Sequence, residues 1–482
     1  MSLRPIKAIY FFLLAALLLA SCQTAPVLPS ATAPVTPAGK TPLPGEYPSP
    51  VATQAATARS GLFDLTTARG KTILFWHPWS GDLAKAVDAA VADFNQKNTW
   101  GIQVKAQAWY SAGALYDAVA AGATAQPQVL PQVVAATGDQ LAEWVVNGDR
   151  LADLSGYIQD AQAGMAEADV KSFQPVFWAE DQSGSRRWGV PALRSAQVIF
   201  YNQAWARELG FQSPPRTPEA FKEQACAAAK ANNSLSNRNL AGTGGWLVDN
   251  DALTTLSWMS AFGAKAIPDG EGQPYTFESP AAEKAVAFLR GMFDQGCAWT
   301  GNDPMPYGYF SQRMALFYTA SSSNIIAQSR SQEQYKSKDA WTVLPFPGED
   351  GKPLAYTSGY SYALFKAKDP GEQLAAWLFV RWLEQPEVAA RLAKALPSIP
   401  VSDGVTAQIG GDSSQFPWPA LLALAESARP APALSTWRDV RRLFEDAAWQ
   451  IYRLPADQVS QVLPETLPQL DAAVKDMLQG TP

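Results

Sequence analysis

The sequence predicts an α/β protein organised as two large lobes, and three observations carry that reading. The chain has 482 residues, longer than a single hydrophobic core usually serves, so two large domains or lobes are expected. Short apolar runs alternate with segments whose apolar residues recur at helical spacing, as β-α-β units require. Aromatic residues make up 11% of the chain, with 17 Trp among them, enough to fill large cores and incompatible with a mostly disordered chain.

The elements follow in order. Thr72-Ile-Leu-Phe-Trp76 is a short apolar run that reads as a buried strand. Trp76-His-Pro-Trp-Ser-Gly81 is a loop by its Pro and Gly, and Ser80 is placed to cap a helix carrying Leu83, Val87, Val91 and Phe94. Ile102, Val104 and Ala106 alternate with polar residues as a second strand. A helix through Leu115–Ala121 leads to a third strand at Val133–Ala136. Parallel strands with right-handed crossovers result, with ligands expected at their carboxyl ends. The loops at Trp76–Gly81 and Thr137–Asp139 lie at those ends.

A second α/β block opens near Gln197–Tyr201. Thr217 and Pro218 read as N-cap and first helical residue. Helices are expected around 221–231, 252–262, 281–293, 374–383 and 387–395. Strands are expected at 314–318, 341–344 and 360–365, the first running into Thr319-Ala-Ser-Ser-Ser-Asn324.

Ahead of this body, Arg4 and Lys7 precede an uncharged apolar run, Ala8–Ala20, too short to span a bilayer comfortably. It ends in Leu19-Ala20-Ser21-Cys22, which resembles a bacterial lipobox with Cys22 as the lipidated residue. Residues 1–21 are thus expected to be a lipoprotein signal peptide. Residues 22–60, with eight Pro among Thr, Ala and Ser, read as a semi-rigid tether holding the body off a membrane. Losing 1–21 removes Arg4, Lys7 and no acid, which moves the net charge from -6 to -8.

Composition narrows the function classes. A net charge of -6 argues against a nucleic-acid binder, which needs clustered Lys and Arg. His77 is the sole histidine, so no multi-His metal site exists and a Ser-His or Cys-His hydrolase would depend on that one residue. Neither a metal nor a cofactor is expected. With Cys22 assigned to lipid, Cys226 and Cys297 remain, as one disulfide or as two separate thiols.

Several stretches, in order, carry a resemblance. They are Phe75-Trp-His-Pro-Trp-Ser-Gly81, Val190-Pro-Ala-Leu-Arg-Ser-Ala-Gln-Val-Ile-Phe-Tyr-Asn202, Pro214-Pro-Arg-Thr-Pro-Glu-Ala-Phe221, Tyr318-Thr-Ala-Ser-Ser-Ser323, Ser358-Gly-Tyr-Ser361 and Ala375–Leu383 with Gln385-Pro-Glu387. Over Thr72–Gln479 the chain is similar to extracellular solute-binding proteins of the large carbohydrate type, the receptors of ABC importers. The resemblance implies a two-lobe periplasmic-binding-protein-like fold with hinge strands and an interlobe ligand cleft. Lobe 1 would comprise 70–191 plus 341–367, and lobe 2 192–340 plus 368–482. It implies a monomeric, lipid-anchored receptor outside the cytoplasm, taking a sugar or polyol and passing it to a membrane permease.

Candidate ligand contacts come from both sources. The residues themselves offer Trp76 and Trp79 as stackers at a strand end, Trp246 behind Gly244-Gly245, and Asp139 as a hydroxyl acceptor or a helix cap. Trp258, Trp377 and Trp382 read as core and His77 as structural. The resemblance, nearest to glycerol-3-phosphate and related sugar receptors, adds Tyr116, Ser195, Ser321, Gly359 and Tyr360, and Arg441 as a phosphate-facing arginine. It also marks two departures: Ala135 where the subgroup has an acid, and Ser398 where it has a Tyr. A secreted glycoside hydrolase with paired carboxylates remains open as the enzyme alternative. So does a lipoprotein with a degenerate cleft acting as sensor or scaffold.

Overall fold

The computed structural model describes residues 61–125, 129–236, 238–303, 305–409 and 417–480. The leader 1–21, Cys22 and the tract 22–60 lie outside the described residues.

β1 (Thr72–His77), α1 (Gly81–Lys97), β2 (Gln103–Ala108), α2 (Ala112–Thr124), β3 (Val133–Ala136) and α3 (Gly138–Val146) form the first block. β1 runs parallel to both β2 and β3, as the alternating pattern predicts. Leu83, Val87, Ala90, Val91 and Phe94 form the buried face of α1. Ser80 stands at its N-cap position, but its side chain makes no capping bond; the chain turns instead through Gly81 at φ 60°. Ser111 caps α2, its Oγ accepting from the Ala114 N–H at 3.0 Å. Thr137 holds the N-cap position of α3 and Asp139 sits in the first turn, so Asp139 is not the cap.

The chain continues through α4 (Pro175–Glu180), β4 (Gly189–Asn202), α5 (Pro218–Ser234), β5 (Gly244–Leu247) and α6 (Ala252–Ala261). α7 (Pro280–Asp294), β6 (Ala298–Trp299), β7 (Ala315–Ser321), α8 (Ile325–Gln334), β8 (Trp341–Leu344) and β9 (Ala355–Leu364) follow. The described C-terminal part holds α9 (Pro370–Leu383), α10 (Pro386–Ala395), β10 (Ala428–Pro430), α11 (Trp437–Arg453) and α12 (Thr466–Gly480). Thr217 caps α5, its Oγ1 accepting from the Ala220 N–H at 3.2 Å ahead of Pro218.

Ten strands form one sheet in the order β2-β1-β3-β9-β4-β7-β5-β6, with β8 also on β4 and β10 also on β9. β4 holds the two halves together. Its first part pairs antiparallel with β9 from Gly189 to Ala196, and its last part pairs with β7 and β8 from Gln197 to Asn202. Its side chains alternate between cores, as a strand's period of two requires. Val198 and Phe200 enter one core, Ile199 and Tyr201 another. The first half alternates likewise: Phe75, Val133 and Ala135 face the core shared with Phe200, while Trp76, Val134 and Ala136 face a third.

α9 and α10 pack on β1 and α1, with Phe379 5.5 Å from Phe75 and 5.0 Å from Phe94 between ring centroids. The stretch from 370 to 395 therefore goes with the first half of the sheet, and assigning all of 368–482 to the second lobe is corrected. α11 and α12 do join the second half, through Phe444, Ile451 and Leu470. Cys226 on α5 is disulfide-bonded to Cys297, just before β6, with Cα atoms 4.3 Å apart.

Candidate ligand-binding cleft

A cavity of about 1080 Å³ opens between the two halves of the sheet, over the crossing strands β4 and β9. The first half contributes the β1–α1 turn, with Trp79 and Ser80, and the β3–α3 turn, with Thr137 and Asp139. These are the carboxyl ends of parallel strands, where sheets of this kind bind ligands. The floor is Arg194 and Ser195 of β4 against Thr357–Tyr360 of β9. The second half contributes Ser321 at the end of β7 and Ser323 just after it, Asp251 before α6, and Trp437 and Arg441 of α11.

Ser321 is built into its position. Its Oγ accepts from the Ser323 N–H at 3.3 Å and lies 2.8 Å from the Ser323 hydroxyl, opening a short turn that runs into α8. Hydroxyls and free N–H groups at such a start suit a polar ligand edge. Trp79 is 4% exposed. It stacks on His77 at 5.3 Å and meets the Tyr360 ring edge-on at 5.7 Å. Burial holds the His77 pKa down at about 4, so His77 is a neutral spacer behind the tryptophan. Ser195 Oγ donates to the Ser358 carbonyl at 3.4 Å across the floor.

Among the described residues two cations line the cavity, and carboxylates hold both. Arg441 donates from Nε to Glu445 at 2.6 Å and from Nη2 to Asp251 at 3.1 Å. Arg194, 2% exposed, donates from Nε to Glu180 at 2.8 Å, from Nη1 to the Tyr360 carbonyl at 2.6 Å and from Nη2 to the Ser361 hydroxyl at 2.9 Å. Asp181 lies 3.7 Å away. Burial, only partly offset by Arg194, lifts the Glu180 pKa to about 7 and that of buried Glu384 well above its ordinary value.

Of the residues singled out from sequence, Trp79, Asp139, Ser195, Ser321, Gly359, Tyr360 and Arg441 line this cavity. Four others do not. Trp76 packs against Trp109 at 5.1 Å in the third core. Trp246 is fully buried between Phe221 and Trp258, each 5.9 Å away. The flanking glycines do not present it to the cleft: a Cβ on Gly245 would sit 2.0 Å from the Cys297 carbonyl, so they serve close strand packing. Ser398 is 2% exposed and donates to the Leu396 carbonyl at 2.6 Å. Tyr116 donates to Glu143 at 2.5 Å and carries the Arg438 guanidinium 3.6 Å over its ring, with Arg438 also 3.6 Å from Asp117. That contact links α2 of the first half to α11 of the second. Ala135 is fully buried and faces the core, and it does not line the cavity.

Sequence reasoning missed Glu180, Asp181, Arg194, Gln197, Thr357 and Trp437. For Arg194 a signal exists: it is the one charge in the 14-residue apolar strand β4. Glu180 and Asp181 end a short helix with no periodicity to mark them.

The model of one family, described as bacterial extracellular solute-binding protein, matches residues 89–417. The chain belongs to this family. As a member it is an extracytoplasmic solute-binding protein, and among the described residues no helix is long and apolar enough to cross a membrane. A probable ABC transporter-binding protein of Deinococcus radiodurans is 26% identical over 140 residues, 28% of this chain and only 32% of that relative. The sn-glycerol-3-phosphate-binding periplasmic protein of Pectobacterium atrosepticum is 22% identical over 366 residues, 73% of this chain and 78% of its own. The sugar-binding protein of Xanthomonas citri shares the solute-binding fold at a TM-score of 0.68 and 20% identity, covering 86% of this chain and all of that one. These relatives are binding proteins, and the α/β fold with its two lobes is theirs.

Proposed function

We propose that this solute-binding protein is a lipid-anchored receptor that closes on a neutral sugar or polyol and delivers it to an ABC permease. One observation carries the choice of ligand. The cleft joins hydroxyls and aromatic rings from both halves of the sheet, while the only cations lining it among the described residues, Arg194 and Arg441, are already held by carboxylates. Sugar hydroxyls can bond to Asp139, Ser195 and Ser321 without breaking an ion pair, and the half-buried ring of Tyr360 can meet a sugar C–H surface, with Trp79 packed behind it. A phosphorylated ligand would meet an Arg441 whose charge is already shared between Asp251 and Glu445, and those two carboxylates would repel it. Closure follows as rotation of the halves about β4 and β9.

A thermal-shift screen of residues 61–482 against neutral sugars, polyols and phosphorylated glycerols tests the reading. At about a hundred times its dissociation constant a ligand adds roughly 2.7 kcal/mol, or about 3 °C in a chain of this length. A neutral sugar or polyol is expected to give that shift. A shift from phosphorylated glycerols alone, lost on Arg441→Ala, would replace the proposal with the ligand named for the Pectobacterium relative. Release of a cleaved product from a stabilising sugar would replace the receptor with a glycoside-active enzyme.

The anchor has its own test. Cys22→Ala is expected to move the full chain from the membrane fraction to the soluble fraction. An unchanged distribution would sink the lipid-anchor reading and leave the cleft reading untouched.

A further inference from the structure

The two halves of the sheet also meet outside the cleft. Ala112 of α2 lines the cavity from the first half, and Trp437 and Arg441 of α11 line it from the second. Tyr116 lies four residues after Ala112, and Arg438 three before Arg441. Each therefore shares a helix face with a lining residue, one turn along. There the Arg438 guanidinium sits over the Tyr116 ring, 3.6 Å from its centroid, and 3.6 Å from the Asp117 carboxylate. The first half alone sets the ring in place: it packs against the third core, and its hydroxyl donates to Glu143 of α3 at 2.5 Å. Arg438 reaches away from its own half. Arg441 pairs with Asp251 and Glu445, and Arg442 with Asp439, all on their own side. Among the described residues, the ring and the carboxylate that Arg438 meets both belong to α2. The halves touch again at the start of α3, where a Cβ on Gly138 would lie 3.0 Å from the Ala433 Cβ.

The ring carries more of this contact than the carboxylate does. The Asp117 side chain is 74% exposed, so its attraction for Arg438 is screened and contributes little. The Arg438 side chain is only 28% exposed, and a guanidinium over a ring gains strength as water is excluded. A second bridge between the halves, Arg330 of α8 to Asp82 of α1 at 3.5 Å, is weaker still, because both side chains are mostly exposed and Asp82 also bonds Lys85 at 3.0 Å. We propose that Tyr116 and Arg438 are a latch at the edge of the cleft, which holds the halves together without touching ligand and so sets how long a ligand stays, not which ligand enters. The latch rests on the receptor reading above and extends it to residues outside the site. Rotation of the halves about β4 and β9 parts α2 from α11, so the contact counts toward the closed arrangement alone. A contact that favours the closed state by a given factor raises the affinity of every ligand by up to that same factor. The role falls to the face of the Tyr116 ring and not to its hydroxyl, which the resemblance to sugar receptors would have placed on the ligand.

The test uses residues 61–482, which hold all three cores. The proteins are the wild type, Arg438→Ala, Tyr116→Leu, Tyr116→Phe, the double variant Tyr116→Leu/Arg438→Ala, and Arg330→Ala as a control. Small-angle scattering without ligand reads closure, and dissociation rates of maltose, sorbitol and sn-glycerol 3-phosphate read retention. Arg438→Ala and Tyr116→Leu are expected to enlarge the ligand-free radius of gyration. Both should speed dissociation of every probe that binds about five- to tenfold, by the same factor for each. Tyr116→Phe, which keeps the ring face, and Arg330→Ala should stay within about twofold of the wild type. The double variant should lose no more than Arg438→Ala does, a non-additivity that two separate structural losses would not give. An unchanged radius in Arg438→Ala overturns the latch, whether or not a probe binds. Faster dissociation in Tyr116→Phe, or a factor that differs between probes, overturns it as well and returns Tyr116 to the ligand. An enlarged radius in Arg438→Ala with no probe bound upholds the latch and counts against the ligand reading alone.

Discussion

Arg194→Met is expected to destabilise the folded chain by about 3–5 kcal/mol at pH 8, the usual cost of breaking a buried ion pair by removing one partner. Glu180 and Asp181 at the end of α4 and Glu384 after α9 all feel this one guanidinium, while Arg187 acts on Asp181 and Tyr362 on Glu384 through their charges. Without Arg194, the carboxylates must take up protons or stay charged and unpaired. Arg194 also bonds the Tyr360 carbonyl and Ser361 of β9, so the substitution loosens the crossing strands that the cleft closes around. Urea denaturation at pH 8 and pH 5 measures the effect. The cost at pH 5 should be smaller, because Glu180, with its pKa lifted to about 7, already holds a proton there. Equal costs at both pH values would show that the carboxylates are not what Arg194 holds in place.

The sign of the pH effect can be worked out for Glu180 alone. Its folded pKa, about 7, lies above its ordinary 4.5, chiefly through burial. Its contribution is therefore fully present below pH 4.5 and is lost as pH rises through 7. Asp249, lifted to about 7 by burial, acts in the same direction. His77 acts in the opposite one: with a folded pKa near 4 against 6.5, its contribution is present above pH 6.5 and lost as pH falls toward 4. The wild-type profile mixes these, so the comparison that isolates Glu180 is with Glu180→Gln. Between pH 4.5 and 7 the wild type is expected to lose about 1–3 kcal/mol relative to that variant.

The parallel strands and their helices were legible because burial writes its period into the chain. Val133–Ala136, buried on both faces, is a continuous apolar run, and α1 buries every third or fourth residue. The turns that place Trp79, Ser80 and Asp139 in the cleft follow from that order, since loops after parallel strands gather at one end of a sheet. The tryptophans were not legible in the same way. Trp79 and Trp246 both lie within a few residues of a glycine and a strand, and only the packing of Phe221 and Trp258 decides that Trp246 is core. The allocation of α9 failed for a related reason. Its apolar faces, carrying Leu374, Trp377, Phe379 and Val380, state that it is buried and not against which half of the sheet.

Gly359→Ala is expected to be the most damaging single-methyl change in the cleft. A resemblance marked Gly359 as a backbone contact for ligand, and it does line the cavity. The stricter demand comes from behind it. Gly359 pairs with Arg194 in the β4–β9 ladder, next to a register shift at Tyr360 and Ser361. A Cβ there would lie 2.0 Å from the Leu193 carbonyl oxygen and 3.0 Å from the Arg194 Cα. Both are backbone atoms of the strand that joins the two halves, so neither can turn aside as a side chain would. Relief requires β9 to shift against β4, and that stretches the bonds from Arg194 to the Tyr360 carbonyl and Ser361 and carries Ser195 and Tyr360 out of place. A loss of about 3 kcal/mol or more in folding stability is expected, at the high end for point substitutions. Ligand affinity should fall in the protein that still folds, because the floor of the cleft and the crossing strands are the same residues. Calorimetry with and without a stabilising sugar separates the two effects. A variant with wild-type stability that has lost only its ligand would return Gly359 to the role the resemblance assigned it; a destabilised variant with intact affinity would confine it to the sheet.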